Sequence, residues 1–129
     1  RYSSQQTPAE VVAFIDDMAA IYSWADLIIC RSGAMTVSEV AAVGLPSIMI
    51  PFPFAIDDHQ TANAQYLADV NASILIAESE LNAERLAKEI MHLIDEPSLL
   101  LEMATATRKC AQVGATKAVA KACFEVVSI

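Results

Sequence analysis

The alternation of short apolar runs with helical segments constrains the fold of this sequence more than any other feature. Residues 27–30 are continuously apolar, and residues 47–50 and 73–76 form similar runs, each followed by helical spacing. The valines, phenylalanine and isoleucine of residues 10–15 predict one further strand before them. Short apolar strands that alternate with helices are typical of a parallel sheet covered by helices. The sequence therefore predicts an α/β fold.

Capping and breaking residues set the expected ends of the helices. Asp17 is expected to begin the first helix and Gly44 to end the second. Asn82 is expected to cap the fourth helix, and Pro97 to end it. The last two predicted helices follow the final strand, so we expect a helical C-terminal tail. The sequence contains no repeat or linker, which indicates a single domain. The helices are predicted at residues 18–24, 36–43, 59–70, 82–95, 98–111 and 116–127.

Composition excludes some classes of function. The chain has 129 residues and is 55% apolar, which is enough for the core of one domain. Its formal net charge of −8 argues against a nucleic-acid partner. Small anions remain possible ligands, because backbone N–H groups at a helix start can hold a phosphate without lysines. No apolar run is long enough to predict a transmembrane helix.

The cysteines and the acidic residues do not indicate a metal site. Cys30, Cys110 and Cys123 show no C-x-x-C spacing and are predicted to be buried free thiols. Asp57 and Asp58 stand next to His59, but adjacent loop residues lack the spacing of a metal-binding helix. We therefore expect no metal and no cofactor.

The turn and helix start after residue 30 are the first candidate site. Ligands of parallel sheets bind beyond the carboxyl ends of the strands, where this segment lies. Gly33 lets a ligand approach the backbone, and Ser32 and Thr36 offer hydroxyl donors, so the segment can hold a diphosphate. The alternative is that Thr36 and Glu39 form a capping box. Glu39 can accept the two vicinal hydroxyls of a ribose, or it can serve in capping or be solvated.

Two further segments could contact a nucleotide sugar. Gln60 and Asn63 share a helix face, where their amides can bind sugar hydroxyls or simply start a helix. His59 precedes them and is expected to have a polar role at the helix start. The ring of Phe14 can pack on a flat base whose polar edge pairs with the backbone of Ile15, or both residues can belong to the core.

The order of these motifs resembles the carboxy-terminal domain of the MurG family of N-acetylglucosaminyltransferases. The resemblance covers about residues 11–70 and implies a Rossmann-like parallel sheet that forms one half of a GT-B glycosyltransferase. It implies that residues 1–129 bind UDP-N-acetylglucosamine. The segments that carry it are residues 14–20, 22, 24–26, 30–39, 44–46, 51–53, 59–60 and 63–64.

The resemblance also implies a role for each matching residue. Uracil would be held by Phe14 and Ile15, and the ribose hydroxyls by Glu39. N-acetylglucosamine would be bound by Gln60 and Asn63, whereas His59 departs from the glutamine of relatives. No catalytic residue is implied in this chain. The residues that would face the diphosphate are Ser32, Gly33, Ala34, Met35 and Thr36.

For the whole protein, the resemblance implies transfer of N-acetylglucosamine from UDP-N-acetylglucosamine to lipid I, which gives lipid II in peptidoglycan synthesis. Lipid I and the catalytic base would belong to an amino-terminal domain outside this chain, and the first strand of the donor domain would also lie outside it. We therefore expect the isolated chain to be inactive. The full enzyme would lie at the cytoplasmic side of the bacterial inner membrane as a peripheral protein.

Two alternatives remain open from the sequence. Another GT-B-like enzyme, such as a UDP-N-acetylglucosamine 2-epimerase or a lipid glycosyltransferase, would share the ribose-binding glutamate. The patterns at residues 16–18 and 59–63 favour the MurG family over these enzymes. The chain could also be a non-catalytic interaction domain, which would show no thermal stabilisation by UDP.

Overall fold

The computed structural model describes residues 8–54 and 56–127 of the chain. Two short 3-10 turns, Ile56–Asp58 and Glu78–Glu80, accompany the regular elements. No helix in these two ranges is both long enough and apolar enough to cross a membrane. The strands are β1 (Ile28–Cys30), β2 (Ser47–Met49) and β3 (Ser73–Leu75). The helices are α1 (Met18–Trp24), α2 (Ala34–Val43), α3 (His59–Ala68), α4 (Ala83–Asp95), α5 (Pro97–Lys109) and α6 (Ala115–Val127).

The three strands form a parallel sheet in the order β1-β2-β3. Ser47 of β2 lies opposite Ile28 on one side and Ser73 on the other. All three strands therefore end at the same edge of the sheet, where the connections to α2, to α3 and to the second 3-10 turn begin. The predicted parallel α/β fold is confirmed.

Side chains of the sheet alternate between two hydrophobic clusters, one on each face. Met49 belongs to the first cluster, whereas its neighbours Ile48 and Ile50 belong to the second, as the two-residue period of a strand requires. β2 is consequently buried on both faces. The α2–α3 cluster consists of Tyr22, Val40, Leu45, Met49, Ala64, Leu67 and Ala72. The α4–α5 cluster consists of Ile48, Ile50, Ile76, Leu93 and Met103.

The helix ends agree with the capping residues predicted from the sequence. The Asp17 carboxylate accepts a hydrogen bond from the Ala20 N–H at 2.9 Å and caps α1. Asn82 caps α4 in the same way, and Pro97 is the first residue of α5. Gly44 ends α2 with φ 79°, a left-handed conformation that favours glycine.

The strand predicted at residues 10–15 is wrong. This segment is irregular, and the side chains of Val11, Val12 and Phe14 are exposed. An apolar run becomes a strand only when a neighbouring strand accepts its backbone hydrogen bonds, and within the described residues this segment pairs with none. α2 also begins at Ala34, two residues earlier than predicted.

The three cysteines are free thiols, but they are not all buried. Cys30 and Cys110 are half-buried against the α2–α3 cluster, whereas Cys123 is exposed. The prediction of burial is therefore wrong for Cys123. The reason is that α6 places its described side chains in solvent, although its sequence is as apolar as that of a core helix.

Candidate functional site

The starts of α2 and α3 lie side by side at the carboxyl edge of the sheet. Residues 31–33 lead from β1 into α2, and residues 50–58 lead from β2 into α3. Because β1 and β2 are parallel neighbours, both helices begin at the same edge. The N-terminus of a helix carries unpaired N–H groups and a partial positive charge. This edge is therefore suited to an anionic ligand.

Three predicted site residues connect the two helix starts directly. The Ser32 hydroxyl donates to the backbone carbonyl of Gln60 at 2.7 Å, and the Asn63 side-chain amide donates to the backbone carbonyl of Ser32 at 3.1 Å. The Gln60 side-chain oxygen accepts from the backbone N–H of Phe52 at 3.0 Å. The structure thus brings together Ser32, Gln60 and Asn63, which the sequence placed in two separate motifs.

These bonds define what each of the three residues can offer a ligand. Ser32 is fully buried and its hydroxyl proton is used by Gln60, so Ser32 has no free hydroxyl to offer a ligand. Hydrogen bonds to described residues leave the amide nitrogen of Gln60 and the amide oxygen of Asn63 unused. One donor and one acceptor therefore remain at the start of α3.

The first turn of α2 is open. Its N-cap residue is Gly33, which makes no side-chain capping bond, so the N–H groups that follow have no partner within the helix. A Cβ atom added at Gly33 would meet only the Thr36 hydroxyl oxygen, at 3.9 Å. Met35 is 75% exposed beside this space. A ligand can reach the backbone here, as the glycine predicted.

The capping-box alternative for Thr36 and Glu39 is wrong. With the N-cap at Gly33, Thr36 is the third helical residue and Glu39 lies in the second turn. The Glu39 carboxylate instead accepts a hydrogen bond from the Tyr22 hydroxyl of α1 at 3.0 Å. Glu39 therefore stands one turn from the open helix start with a fixed partner on another helix.

The Tyr22 contact was missed by sequence reasoning. Tyr22 is 7% exposed and belongs to the α2–α3 cluster. Burial raises the pKa of Tyr22 to about 12, and the hydrogen bond to Glu39 and the charge of Glu39 add to this. A buried tyrosine hydroxyl usually finds a hydrogen-bond partner, and this rule is the signal that could have pointed to a polar neighbour.

Arg31 connects the ends of all three strands, a role that the sequence did not indicate. From the end of β1 its guanidinium donates to the backbone carbonyls of Ile50 and Pro51 after β2, at 3.3 and 3.1 Å. It also forms an ion pair with Glu78 after β3 and lies 5.6 Å from the ring centre of Phe52. Arg31 therefore holds the loop that carries the Phe52 N–H towards Gln60.

The remaining predicted residues lie before α1 or at the two helix starts. Phe14 is 78% exposed and Ile15 is half-buried, and both precede α1. The alternative that Phe14 packs in the core is therefore wrong, and its ring is available to a planar ligand. Ala34 is exposed in the first turn of α2, and His59 is the exposed first residue of α3.

Asp57 and Asp58 lie just before α3, and Asp58 is hydrogen-bonded within the protein. Asp57 and Asp58 adopt left-handed backbone conformations with φ 57° and 53°. The Asp58 carboxylate accepts a hydrogen bond from the Thr61 hydroxyl at 2.6 Å. Across residues 8–54 and 56–127, no three His, Cys, Asp or Glu side chains are grouped closely enough to hold a metal ion.

A large concave surface lies elsewhere. A groove of about 710 Å³ between α3 and α5 contains none of the predicted site residues, and Tyr66, Val70 and Leu101 form its apolar part. None of the residues that line this groove belongs to the first turn of a helix. A smaller hollow of about 320 Å³ lies at the strand ends, between Pro51 and Glu78. The polar contacts therefore place the candidate site at the carboxyl edge of the sheet rather than in the larger groove.

Comparison with known proteins agrees with this architecture. Residues 1–122 match the model of the glycosyltransferase family 28 C-terminal domain. Two similar proteins are UDP-N-acetylglucosamine–N-acetylmuramyl-(pentapeptide) pyrophosphoryl-undecaprenol N-acetylglucosamine transferases. The one from Methylococcus capsulatus is 52% identical over 124 residues, which are 96% of this chain and 35% of the relative. The one from Nitrosococcus oceani is 50% identical over 127 residues, which are 98% of this chain and 35% of the relative.

A solved structure confirms the resemblance and the fold class predicted from the sequence. The crystal structure of Acinetobacter baumannii MurG superposes with a TM-score of 0.80 at 48% identity, covering 85% of this chain and 33% of that one. The chain is a Rossmann-like half of a GT-B glycosyltransferase, and it spans about a third of the length of the curated relatives it matches. The chain therefore belongs to glycosyltransferase family 28, whose C-terminal domain it carries over residues 1–122.

Proposed function

We propose that this chain is the donor-sugar-binding half of an enzyme that moves N-acetylglucosamine from UDP-N-acetylglucosamine to lipid I in peptidoglycan synthesis. The observation that carries the proposal is the open first turn of α2 beside the fixed carboxylate of Glu39. The names of relatives that are 47–52% identical agree with it. Residues 1–129 would be the donor domain, and the acceptor domain and the first strand of the donor domain would belong to a longer protein.

Different residues of the site would bind different parts of the donor. The diphosphate would lie against the segment from Ser32 to Thr36, which leads into the first turn of α2, where the helix dipole favours negative charge. Glu39 would accept the ribose hydroxyls. The free amide groups of Gln60 and Asn63, with His59 beside them, would contact the N-acetylglucosamine. The uracil would stack near Phe14 and pair with the backbone of Ile15.

The proposed reaction needs both halves of the enzyme. The 4-hydroxyl of the lipid-linked sugar would attack C1 of N-acetylglucosamine, and the bond from C1 to the diphosphate would break, with the electron pair leaving on UDP. A base in the acceptor domain would take the hydroxyl proton. The start of α2 would stabilise the charge that develops on the diphosphate. We assign no catalytic group to this chain and expect it to be inactive alone, so transferase turnover by the chain would contradict that assignment.

The remaining partners follow from the same proposal. Lipid I would be bound through the acceptor domain, which would also provide most of the contact with the membrane. The whole enzyme would then be a peripheral protein at the cytoplasmic face of the inner membrane. With a net charge of −8, this domain is not proposed to bind nucleic acid. Release of the full-length protein from inner-membrane vesicles by salt or carbonate would test the peripheral location.

Calorimetric titration of UDP-N-acetylglucosamine into the chain tests the proposal directly. The wild-type chain should bind, and Glu39→Ala should bind more weakly by about 1–3 kcal/mol, because a charged hydrogen-bond acceptor of the ribose is lost. The matched control is Glu102→Ala on α5, an exposed glutamate that lines the large groove and should bind as wild type does.

Two outcomes would count against the proposal. A folded wild-type chain that does not bind the donor would show that this domain is not a donor site by itself. Equal binding by wild type and Glu39→Ala would remove the ribose role from Glu39. Circular dichroism of each variant establishes that the chain is folded before binding is compared.

The alternatives are separated by inexpensive measurements. A 2-epimerase or a lipid glycosyltransferase domain would bind other UDP-sugars as well as or better than UDP-N-acetylglucosamine in a donor panel. The names of the similar proteins do not favour these enzymes. An interaction domain with a non-functional nucleotide site would show no thermal stabilisation by UDP, whereas ligand at about 100 times its Kd stabilises by about 2.7 kcal/mol.

A further inference from the structure

The hydrogen bond between Tyr22 and Glu39 joins a buried ring to an exposed carboxylate. The hydroxyl of Tyr22, on α1, donates to Oε2 of Glu39, on α2, at 3.0 Å. The two residues are 17 positions apart in the sequence, so the bond depends on the packing of two helices. Glu39 is exposed, and its neighbours on α2 are not its hydrogen-bond partners in this structure.

The Glu39 side chain gains order from this contact. A glutamate has three rotatable bonds, and fixing them costs conformational entropy. An exposed glutamate on a helix would otherwise sample several rotamers. Since a ligand that needs one rotamer must supply this entropy on binding, an existing partner that selects the rotamer strengthens binding.

Tyr22 is well suited to select that rotamer. Its ring is 7% exposed and packs in the α2–α3 cluster, which includes Val40, the residue after Glu39. The position of the hydroxyl is therefore set by core packing rather than by solvent. The hydroxyl is protonated, and thus a donor, at neutral pH, and burial raises the pKa of Tyr22 further, to about 12.

The contact leaves Glu39 able to bind a diol. An ionised carboxylate can accept about four hydrogen bonds, and Tyr22 uses one of them on Oε2. Two vicinal hydroxyls need two acceptor positions, so the carboxylate retains enough capacity. Tyr22 therefore restrains the carboxylate without competing with the ligand.

We infer that Tyr22 is a positioning residue for the nucleotide site, which holds the Glu39 carboxylate in the rotamer that receives the ribose hydroxyls of the donor. This inference rests on the proposed function, because it takes the ribose as the ligand of Glu39. Tyr22 itself does not touch the donor. Its effect on binding therefore depends on the ribose hydroxyls, whereas a purely structural effect would not.

Titration of Tyr22→Phe with UDP and with 2′,3′-dideoxy-UDP separates these two effects. The substitution keeps the buried ring and removes only the hydroxyl. UDP should bind Tyr22→Phe about tenfold more weakly than it binds wild type, because the ligand must then order the Glu39 side chain itself. 2′,3′-Dideoxy-UDP, which lacks both ribose hydroxyls, should bind the two proteins equally. Tyr66→Phe, which alters an exposed tyrosine of α3, is the matched control and should bind UDP as wild type does.

The outcomes distinguish this inference from the proposed function. An equal loss of affinity for both nucleotides, or no loss for either, would overturn the positioning role while leaving the donor site in place. Failure of wild type to bind UDP would overturn the proposed function and this inference with it. Introducing Tyr22→Phe into Glu39→Ala provides a second test, because the hydroxyl should have no effect on UDP affinity once the carboxylate is gone.

Discussion

Asn63 donates its side-chain amide to the backbone carbonyl of Ser32 across 3.1 Å, from the first half of α3 to the loop that precedes α2. The bond runs in the opposite direction to the one from the Ser32 hydroxyl to Gln60. Together they form a two-way connection between residues that are about 30 positions apart. These two bonds hold the starts of α2 and α3 next to each other at the carboxyl edge of the sheet.

Replacement of Asn63 by alanine should destabilise the chain. It leaves the half-buried carbonyl of Ser32 without this partner, which costs about 1–3 kcal/mol. The change is measured as the loss in unfolding free energy from urea titration. Gln65→Ala is the control, because this side chain is exposed on the same helix and its removal should alter stability by about 0.5 kcal/mol or less. Equal effects of the two substitutions would contradict a structural role for the Asn63 amide.

Arg31 and Glu78 should contribute unequally to the stability of the chain, although they form one ion pair. Both side chains are more than a third exposed, so the pair itself is worth about 0–1 kcal/mol, and Glu78→Gln should have a small effect. Arg31→Ala should cost more, because it also removes the donor to the carbonyls of Ile50 and Pro51, both buried residues. Urea unfolding of the two variants gives the comparison. A larger loss in Glu78→Gln would show that the ion pair, and not the carbonyl contacts, holds this loop.

Gly44 should not tolerate a side chain. Its φ of 79° is unfavourable for any other residue, and a Cβ atom there would lie 3.1 Å from the Cβ of Arg108. Gly44→Ala should lower the unfolding free energy by about 1–2 kcal/mol. Gly114→Ala is the matched control, since nothing lies within 4 Å of the added atom. Thermal melts of both variants test this, and unchanged stability of Gly44→Ala would mean that the end of α2 relaxes freely.

Cys30 should react slowly with alkylating reagents. Burial raises its pKa from 9.0 to about 11, so only about one thiol in a thousand is ionised at pH 8. Cys123 is exposed and should be modified first by iodoacetamide. Peptide mapping by mass spectrometry after timed labelling gives the order, and the rate at Cys30 should rise about tenfold from pH 8 to pH 9. Modification of Cys30 as fast as Cys123 would contradict its burial in the native chain.

Ionisation of Tyr22 should lower the stability of the chain at alkaline pH. Its pKa rises from 10.0 to about 12 on folding, so the folded state favours the protonated hydroxyl. The stability linked to this shift is fully present below pH 10 and is lost as pH rises through 12. Urea midpoints measured between pH 9 and 12 should fall more steeply for wild type than for Tyr22→Phe. Cys30 ionises in both proteins, so the difference between the two curves isolates Tyr22, and parallel curves would contradict the assignment.

Local signals predicted most of the fold because they act within a few residues. The capping at Asp17 and Asn82 and the left-handed end at Gly44 depend on side chains or φ values that the residue type itself favours. The strand predicted at residues 10–15 failed for the opposite reason. A strand needs a partner, and the apolar pattern of the segment does not report whether a neighbouring strand is present.

The site was only partly predictable for the same reason. Residues 32–39 and 59–63 could be proposed as candidates because each motif is continuous along the chain. The contacts that organise them cross between elements: Tyr22 reaches Glu39 over 17 residues and Arg31 reaches Glu78 over 47. Spacing along the sequence carries no information about such pairs, which depend on helix packing and strand order. The buried hydroxyl of Ser32 was assigned to a ligand because its internal partner was not visible in the sequence.

The two bonds between Ser32 and the start of α3 also have a consequence for ligand selection. They hold the two helix starts next to each other, so the backbone groups at α2 and the amides at α3 resist moving apart. Under the proposed function, a donor must match the resulting spacing. That spacing is set by hydrogen bonds inside the protein, between atoms that would not touch a phosphate.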